Sequence, residues 1–246
     1  GPAGLEFART AAMRGHRVEL HEAMSRLGGQ VLMAASAPHR ADLRAITDWL
    51  ADELENLGVE IYLNSYVDEE VVGRISPDEV VIASGTAPRD DGFQQMTPAT
   101  GIDGFDMDHV YSSWDVLGFG NIMRYESPAV VYDDTGTFEA ISVADILLEK
   151  GLSVTMVGRN DSIGARLNYP PVTAGAARER LYSGDFDFVG GHHLIAIRQD
   201  HVEIGVIYAN RVRQLQARTV VFVGHNSPSR DLWLSLQGNG PKAHMI

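Results

Sequence analysis

Cysteine is absent from the 246 residues of the chain. Without thiols, this segment has no disulfide framework, no cysteine-ligated zinc or iron–sulfur centre, no redox-active cysteine pair and no thiol nucleophile. The sequence therefore excludes these four classes of site from the segment.

Basic residues are scarce as well. The chain has 20 Lys and Arg against 33 Asp and Glu, which gives a formal net charge of −13 at pH 7. A surface this acidic repels phosphate backbones and anionic lipid, so we expect no nucleic acid and no membrane as a partner. No apolar run approaches the roughly 18 residues that a membrane span requires, and no charged-then-apolar leader is visible. We therefore expect a cytoplasmic protein.

Short strand patterns alternate with amphipathic helix patterns along the chain. A helix predicted over residues 40–57, for example, lies between strand patterns at 17–21 and 59–63. This alternation predicts an α/β fold: two Rossmann-type parallel-sheet domains, the second inserted in the first, with an antiparallel meander. We predict the first domain at residues 1–100 plus 217–246 and the second at 101–216.

The later half of the chain supplies the meander. Its strands are predicted at residues 186–189, 194–197 and 202–208. A buried strand at residues 219–223 is assigned to the first domain, because the chain is expected to return to that domain near Ala217.

The chain opens on Gly1 and Gly4, which precede a helix pattern. In the dinucleotide-binding fingerprint GxGxxG, glycines let the backbone approach a pyrophosphate at a helix N-terminus, and an acidic residue about 20 positions later accepts a hydrogen bond from a ribose hydroxyl. Glu22 stands at this distance, directly after the strand pattern at 17–21. Gly1 and Gly4 then correspond to the second and third glycines, so we expect the first glycine and its strand upstream of residue 1.

Two further segments follow these glycines in the order that is typical of a dinucleotide-binding domain. In two-dinucleotide flavoproteins, a GG turn lies along the cofactor, and a strand ending in Ala-Thr/Ser-Gly closes the domain. Here the GG turn is Gly28-Gly29-Gln30 and the strand end is Ala83-Ser84-Gly85. The four segments together predict that the first domain binds a dinucleotide.

With these motifs, and with residues 37–40 and 63–67, the chain resembles the carboxy-terminal half of the family that contains trimethylamine dehydrogenase and 2,4-dienoyl-CoA reductase. Members of that family begin with an old-yellow-enzyme-like barrel that carries FMN, continue with a 4Fe-4S cluster and end with two dinucleotide-binding domains. The resemblance covers essentially the whole chain. It implies FAD or ADP in this segment, and FMN and the 4Fe-4S cluster in a preceding part of the protein.

The resemblance also implies roles for individual residues. Glu22 would hold the adenosine ribose, Gln30 and Arg40 would lie on the pyrophosphate side, and Val67 would contact the adenine through its main chain. The rest of the predicted cofactor-binding set is Gly1, Gly4, Gly29, Ala83, Ser84 and Gly85. No catalytic acid, base or nucleophile and no metal ligand is predicted in the chain.

Three segments resemble the amine-dehydrogenase branch of that family more closely, namely residues 167–170, 224–227 and 231–233. The resemblance implies a parent enzyme in which FMN takes two electrons from a substrate C–N bond and the cluster relays them singly. Its small-molecule substrate would bind in the barrel. We also expect an electron-transfer protein as a partner and a homo-oligomeric assembly.

The second domain departs from the fingerprint. After the strand pattern at residues 129–132, Asp133 and Asp134 occupy the place of the first glycines. Two carboxylates at a helix entrance repel a pyrophosphate, and we interpret them as capping the helix and complementing its dipole. Arg159 could place a cation near a 2′-phosphate, but we interpret it as a solvated loop residue. We therefore expect no NAD(P) in this domain.

Two other functions stay open. The first is an NAD(P)H-dependent enoate or dienoyl-CoA reductase, in which electrons enter through this module. The second is a non-catalytic ADP-binding module that serves in assembly.

The pair His192-His193 is predicted to lie in a surface turn, since adjacent strand residues point to opposite faces and cannot share a metal. Glu69 and Glu70 are interpreted as solvated loop charge. Residues 243–246 resemble the last strand before a Gly-Asp turn, so both ends of the chain are expected to fall inside cofactor-binding motifs, and residues 1–246 are not expected to fold autonomously.

Overall fold

The computed structural model describes residues 1–119, 123–167, 172–238 and 241–246, so the resemblance noted at 168–170 lies outside the described residues. The chain divides into two compact units. The first comprises Gly1–Ala35, His39–Ala87 and Pro228–Ile246, and the second comprises Ser36–Pro38 and Pro88–Ser227. The second unit is thus inserted in the sequence of the first, with crossings near residues 87 and 228 where the sequence predicts 100 and 217.

The helices and strands up to residue 119 are α1 (Pro2–Met13), β1 (Glu19–Glu22), α2 (Gln30–Ala34), a 3₁₀ turn (Ala41–Leu43), α3 (Arg44–Asn56), β2 (Glu60–Leu63), α4 (Glu69–Ile75), β3 (Glu79–Ile82), β4 (Thr86–Pro88), β5 (Val110–Ser112) and α5 (Ser113–Phe119). Those that follow are β6 (Ala129–Asp133), α6 (Phe138–Glu149), β7 (Val154–Gly158), α7 (Val172–Tyr182), β8 (Phe186–Val189), β9 (His192–Ile197), β10 (His201–Val206), β11 (Val212–Gln216), β12 (Thr219–Val223), β13 (Asn226–Pro228), α8 (Asp231–Ser235) and β14 (Lys242–Met245). None of the described helices is long and apolar enough to cross a membrane.

In the first unit, α1 packs against α3. Leu5 and Ala8 lie on one face of α1, three positions apart, and are buried with Leu50 and Leu54 of α3. Spacings of three and four residues place these side chains on one face of each helix, which explains why the sequence pattern predicts both helices.

Four strands of the first unit form two separate parallel pairs. β1 pairs with β2, with Glu19 opposite Glu60, and β3 pairs with β14, with Glu79 opposite Lys242. Among the described residues, β1 and β3 each pair on one side only. A strand upstream of residue 1 stays a prediction.

The second unit is built on a five-stranded parallel sheet in the order β5-β12-β6-β7-β8. Every residue of β6 and β12 is buried, as expected for central strands of a parallel sheet covered on both faces. An antiparallel sheet in the order β11-β10-β9 adds Leu194, Ile197 and Ile204 to the same apolar core. The predicted fold class, Rossmann-type units with an antiparallel meander, is confirmed.

Three predicted placements of strands are wrong. Residues 186–189 form β8, which belongs to the parallel sheet, and the third strand of the meander is β11. Residues 219–223 form β12, which lies between β5 and β6 in the second unit rather than in the first. These errors concern which strands pair with each other, and the pattern of a short strand does not specify its neighbours.

Two local interpretations are also wrong. Glu69 and Glu70 do not lie in a loop but begin α4, where the Asp68 carboxylate accepts a hydrogen bond from Val71 N at 2.9 Å and caps the helix. His192 and His193 do not lie in a surface turn: they begin β9, and His192 is buried.

Candidate functional site

The N-terminus of α1 is organised around Gly1. The helix begins at Pro2, and the first intrahelical hydrogen bond runs from Leu5 N to Gly1 O at 3.1 Å. No acidic residue lies in the first turn of α1. The N–H groups of this turn and the helix dipole therefore present partial positive charge, which suits an anionic ligand group.

The GG turn lies directly against Gly1. Gly29 has a φ of +54°, and a Cβ added there would meet Gly1 Cα at 2.8 Å and Gly1 N at 3.2 Å. Real Cβ atoms do not approach a backbone atom this closely, so only glycine fits. The two segments thus approach each other with bare backbone, which is what a ligand that binds main-chain N–H groups requires.

Glu22 reaches this turn from the end of β1. Its Oε2 is 3.8 Å from Gly1 N, and its Oε1 accepts a hydrogen bond from Met24 N at 3.0 Å. The side chain is 17% exposed, so Glu22 is largely buried beside the turn. Glu22 is the last residue of β1, whereas the sequence pattern predicts it directly after the strand.

The end of β3 contacts both glycine segments. A Cβ at Gly4 would lie 3.1 Å from Cβ of Ala83, so a small residue at position 4 lets α1 pack against this strand end. Gly85 has a φ of +70°, and a Cβ there would lie 3.2 Å from Nε2 of Gln30. That Gln30 amide donates hydrogen bonds to Thr86 O at 3.1 Å and Thr86 Oγ1 at 3.0 Å.

The structure therefore brings seven of the predicted residues into one connected cluster, the glycine cradle: Gly1, Gly4, Glu22, Gly29, Gln30, Ala83 and Gly85. Sequence reasoning missed Thr86, which is a member through its hydrogen bonds with Gln30. A hydroxyl side chain directly after Gly85 was the feature of the sequence that could have identified it. That these residues bind a cofactor stays a prediction.

Three predicted residues take other positions. Ser84 Oγ donates a hydrogen bond to Ser229 O at 2.6 Å. Arg40 immediately precedes the 3₁₀ turn, which packs against α2, and partial burial lowers the pKa of its guanidinium. Val67 packs against the apolar cluster that includes Val72 and Ile82.

In the second unit, the loop between β6 and α6 is held by its own carboxylate. Asp133 Oδ1 accepts hydrogen bonds from Thr135 N at 3.0 Å, Thr135 Oγ1 at 3.0 Å and Gly136 N at 2.7 Å, and Asp133 is buried. The helix itself is capped by Thr137, whose side chain accepts from Glu139 N. The prediction that the two aspartates cap the helix is wrong, because Asp133 binds the loop instead.

Asp134 is fully buried and is held by two other partners. Its Oδ2 accepts a hydrogen bond from Gln95 N at 2.9 Å, and Arg159 Nε lies 3.5 Å from its Oδ1. Arg159 Nε also donates to the main-chain oxygen of Asp134 at 3.1 Å. Arg159 is only 19% exposed, so its interpretation as a solvated loop residue is wrong.

Burial dominates the electrostatics of this loop. Desolvation is the largest influence on Asp133, Asp134 and Glu139, and it raises the pKa of each carboxyl above its ordinary value. The hydrogen bonds from Gly136, Gln95 and Ser113, respectively, oppose that increase. In the described part of the chain, no group of three or more His, Asp or Glu side chains is placed to hold a metal ion.

Known proteins are similar to this chain in sequence over about two thirds of its length and in structure over all of it. No protein-family profile matches it. The N,N-dimethylglycine/sarcosine dehydrogenase of Chromohalobacter salexigens is 37% identical over 166 residues, which cover 67% of this chain and 23% of that protein. The NADH oxidase of Thermoanaerobacter brockii is 37% identical over 159 residues, which cover 64% of this chain and 23% of that protein.

A solved structure extends the likeness to the whole chain. The 6-hydroxypseudooxynicotine amine oxidase of Pseudomonas geniculata N1 is 25% identical and has a TM-score of 0.92, and the match covers 100% of this chain and 37% of that chain. The chain spans less than a quarter of the length of the two curated relatives. In all three comparisons it therefore corresponds to one part of a longer protein.

Proposed function

We propose that this chain, which belongs to the family of flavin-dependent oxidoreductases that contains trimethylamine dehydrogenase and 2,4-dienoyl-CoA reductase, binds the ADP part of a cofactor in the glycine cradle of its first unit. The cofactor is FAD or ADP itself. FAD, when bound, supplies electron transfer, while the residues of the chain bind and orient it.

The approach of Gly29 to Gly1 is the observation that carries this proposal. A Cβ at Gly29 would collide with Gly1 Cα at 2.8 Å, so the backbones of the two segments meet with no side chain between them. A pyrophosphate binds main-chain N–H groups at a helix N-terminus. The Glu22 carboxylate beside them is an acceptor for hydrogen bonds from the ribose hydroxyls. The cradle therefore offers one partner for the pyrophosphate of ADP and another for its ribose.

For the whole protein, we propose an amine dehydrogenase or demethylase. FMN and a 4Fe-4S cluster are expected in a part that this chain does not include, together with the barrel that takes the small-molecule substrate. Two of the similar proteins support an amine substrate, since one is a dimethylglycine/sarcosine dehydrogenase and another an amine oxidase. An electron-transfer protein as acceptor, a homo-oligomeric assembly and a cytoplasmic location belong to the same proposal.

An NAD(P)H-dependent reductase is the second candidate. The similarity to an NADH oxidase favours it. The second unit argues against it, because Asp133 already occupies the loop N–H groups that a nicotinamide dinucleotide would need.

Nucleotide binding by Glu22 variants of the full-length protein tests the first proposal. A hydrogen bond to a charged group contributes about 1.5–3 kcal/mol, so we expect Glu22→Ala to weaken ADP binding by roughly ten- to a hundredfold in titration calorimetry. Glu19→Ala is the matched control, since Glu19 lies on the same strand but contacts Arg17 and His21 instead of Gly1. Equal affinities of the two variants would contradict the assignment.

An absorbance spectrum of the same purified protein separates FAD from ADP. The flavin spectrum is expected with FAD, whereas tightly bound ADP without flavin absorbance would favour the ADP-binding assembly module.

A further inference from the structure

Strand β11 is an edge of the antiparallel sheet in the second unit. Among the described strands it pairs with β10 alone, and four of its five residues are exposed. An edge strand of this kind presents unpaired main-chain groups, and an extended segment of another chain binds to such groups as an additional strand. The geometry of β11 therefore suits an extended peptide.

The hydrogen bonds to β10 show which main-chain groups of β11 are unpaired. Val206 N donates to Arg211 O at 3.0 Å, and Ala217 N donates to Asp200 O at 2.9 Å. In an antiparallel pair, every second residue bonds to the partner strand, and the N–H and C=O groups of the residues between them point away from it. The residues of β11 whose main-chain groups point away from β10 are Val212, Gln214 and Gln216.

The surroundings of this edge are basic, although the chain as a whole is acidic. Between Glu203 and Asp231 the sequence has four arginines and no acidic residue. Two of them, Arg211 and Arg213, lie next to β11 and in it, and both are exposed. In the part of the chain that the structure describes, neither side chain forms an ion pair, despite the 33 Asp and Glu of the chain. Their charges are therefore available to carboxylates of another molecule.

The same charges argue against a second copy of β11 as the occupant of the edge. Charged side chains on an edge strand discourage its pairing with an identical edge. Two copies of β11 side by side would bring their arginines together, and like charges on paired strands are destabilising. A strand that carries carboxylates would be attracted to the same edge instead.

Exposed apolar side chains accompany the arginines. Tyr208, in the turn between β10 and β11, is 86% exposed, and Val212 is 57% exposed. Aromatic and β-branched side chains contribute to strand pairing through contacts with the side chains of the neighbouring strand. We propose that β11 binds an acidic segment of a partner protein, which adds to the antiparallel sheet as a further strand.

Fluorescence anisotropy on the full-length protein tests this inference. The probe is a fluorescein-labelled peptide of alternating glutamate and valine, about eight residues long, which is within the usual length of a strand. We expect saturable binding that weakens as salt is added, because exposed charges are screened. The same peptide with lysine in place of glutamate is expected not to bind.

Arg213→Glu tests the contribution of charge. It is expected to weaken binding of the acidic peptide by roughly tenfold or more, because like charges would then face each other. Arg166→Glu is the matched control, since Arg166 is another exposed arginine of the second unit and does not belong to this sheet.

Gln214→Pro tests the pairing of main chains. It removes an N–H group that points away from β10, and proline is tolerated at such positions of an edge strand. We expect it to weaken binding by roughly threefold or more, whereas Gln214→Ala, which keeps the N–H group, binds as the parent protein does. A peptide with N-methylated amides gives the same test without a change in the protein, and it is expected not to bind.

The inference is overturned if the acidic peptide does not bind at millimolar concentration, in which case the arginines only protect the edge from pairing. It is also overturned if Arg213→Glu and Arg166→Glu bind the peptide equally, or if the N-methylated peptide binds as well as the unmodified one. Dissociation of an oligomer of the parent protein by Arg213→Glu, measured by light scattering, would show that the edge faces a second copy. None of these results depends on whether the glycine cradle binds ADP.

Discussion

Gly29 and Gly58 both have a positive φ but differ in their surroundings. Gly29 has a φ of +54° and would place a Cβ 2.8 Å from Gly1 Cα, whereas Gly58 has a φ of +71° and open space around it. Alanine at Gly58 is thus expected to cost only the left-handed strain, about 1–2 kcal/mol of unfolding free energy. Alanine at Gly29 adds a collision between backbone segments that has no flexible side chain to relieve it.

We therefore predict that Gly29→Ala abolishes ADP binding, while Gly58→Ala leaves ADP affinity within a factor of about two. Calorimetric titration with ADP measures both, and urea unfolding of each variant separates lost binding from lost stability. If Gly29→Ala retained the affinity of the parent protein, the close approach of the two glycine segments would not be required for binding.

Glu139 allows a prediction about pH. Burial is the largest influence and raises the pKa of its carboxyl, although the hydroxyl of Ser113 donates a hydrogen bond to it. An acid whose pKa is higher in the folded state binds its proton more tightly there. Its contribution to stability is therefore fully present below its unfolded pKa of about 4.3 and is lost as the pH rises through the folded pKa.

We predict that Glu139→Gln gains stability relative to the parent protein between pH 5 and pH 8, by on the order of 1 kcal/mol. Asp133 and Asp134, whose pKa values burial also raises, remain in both proteins, so their titration largely cancels in the difference. Urea unfolding at the two pH values measures the change, with Glu179→Gln as an exposed control on α7. A difference between variant and parent that is the same at both pH values would contradict the prediction.

At the level of single residues, local chemistry could be predicted from the sequence and burial could not. Gly1, Glu22 and Gly29 were identified because a pyrophosphate and a ribose demand those residue types at those spacings. Arg159 was interpreted wrongly because its partner, Asp134, is 25 positions away and buried. Nothing in the sequence near Arg159 indicates that a desolvated carboxylate faces it.

In the β6–α6 loop, a carboxylate of the chain itself occupies the turn N–H groups, while the strand–turn–helix order is retained. Its strand, turn and helix occur in the order of a Rossmann unit, but the turn N–H groups donate to Asp133 at 2.7 and 3.0 Å. We predict that the full-length protein shows no binding of NADH or NADPH to the second unit in titration calorimetry. A micromolar affinity that disappears in Arg159→Ala would contradict this prediction.

The pairing of strands was the least predictable property of the elements. Both β6 and β12 contain four consecutive apolar residues, and such a run predicts burial of the strand without indicating which strand pairs with it. β12 was therefore assigned to the wrong unit, although its existence and its limits, Thr219–Val223, were predicted. The helix α4 was missed because its two first residues, Glu69 and Glu70, were interpreted as charges of a solvated loop. In the structure they lie in the first turn of the helix, where their negative charge interacts favourably with the helix dipole.

At the scale of the whole molecule, the two units rest on sheets of very different size. The second unit has five parallel strands, with β6 and β12 paired on both sides and buried throughout. In the first unit, β1 pairs with β2 and β3 pairs with β14, and a sheet of two strands is marginally stable without further packing. Helices α1 and α3 supply such packing around Leu5 and Leu54.

We predict from this contrast that the amides of β1 and β3 exchange with solvent roughly tenfold or more faster than those of β6 and β12 in a protein made of residues 1–246. Native-state hydrogen exchange measures each strand separately. A longer protein that supplies the predicted strand upstream of residue 1 is expected to protect β1 and β3, since that strand would pair with both, and to leave β6 and β12 unchanged. Equal protection of all four strands in residues 1–246 would show that the first unit needs no additional strand, and would contradict the expectation that these residues do not fold autonomously.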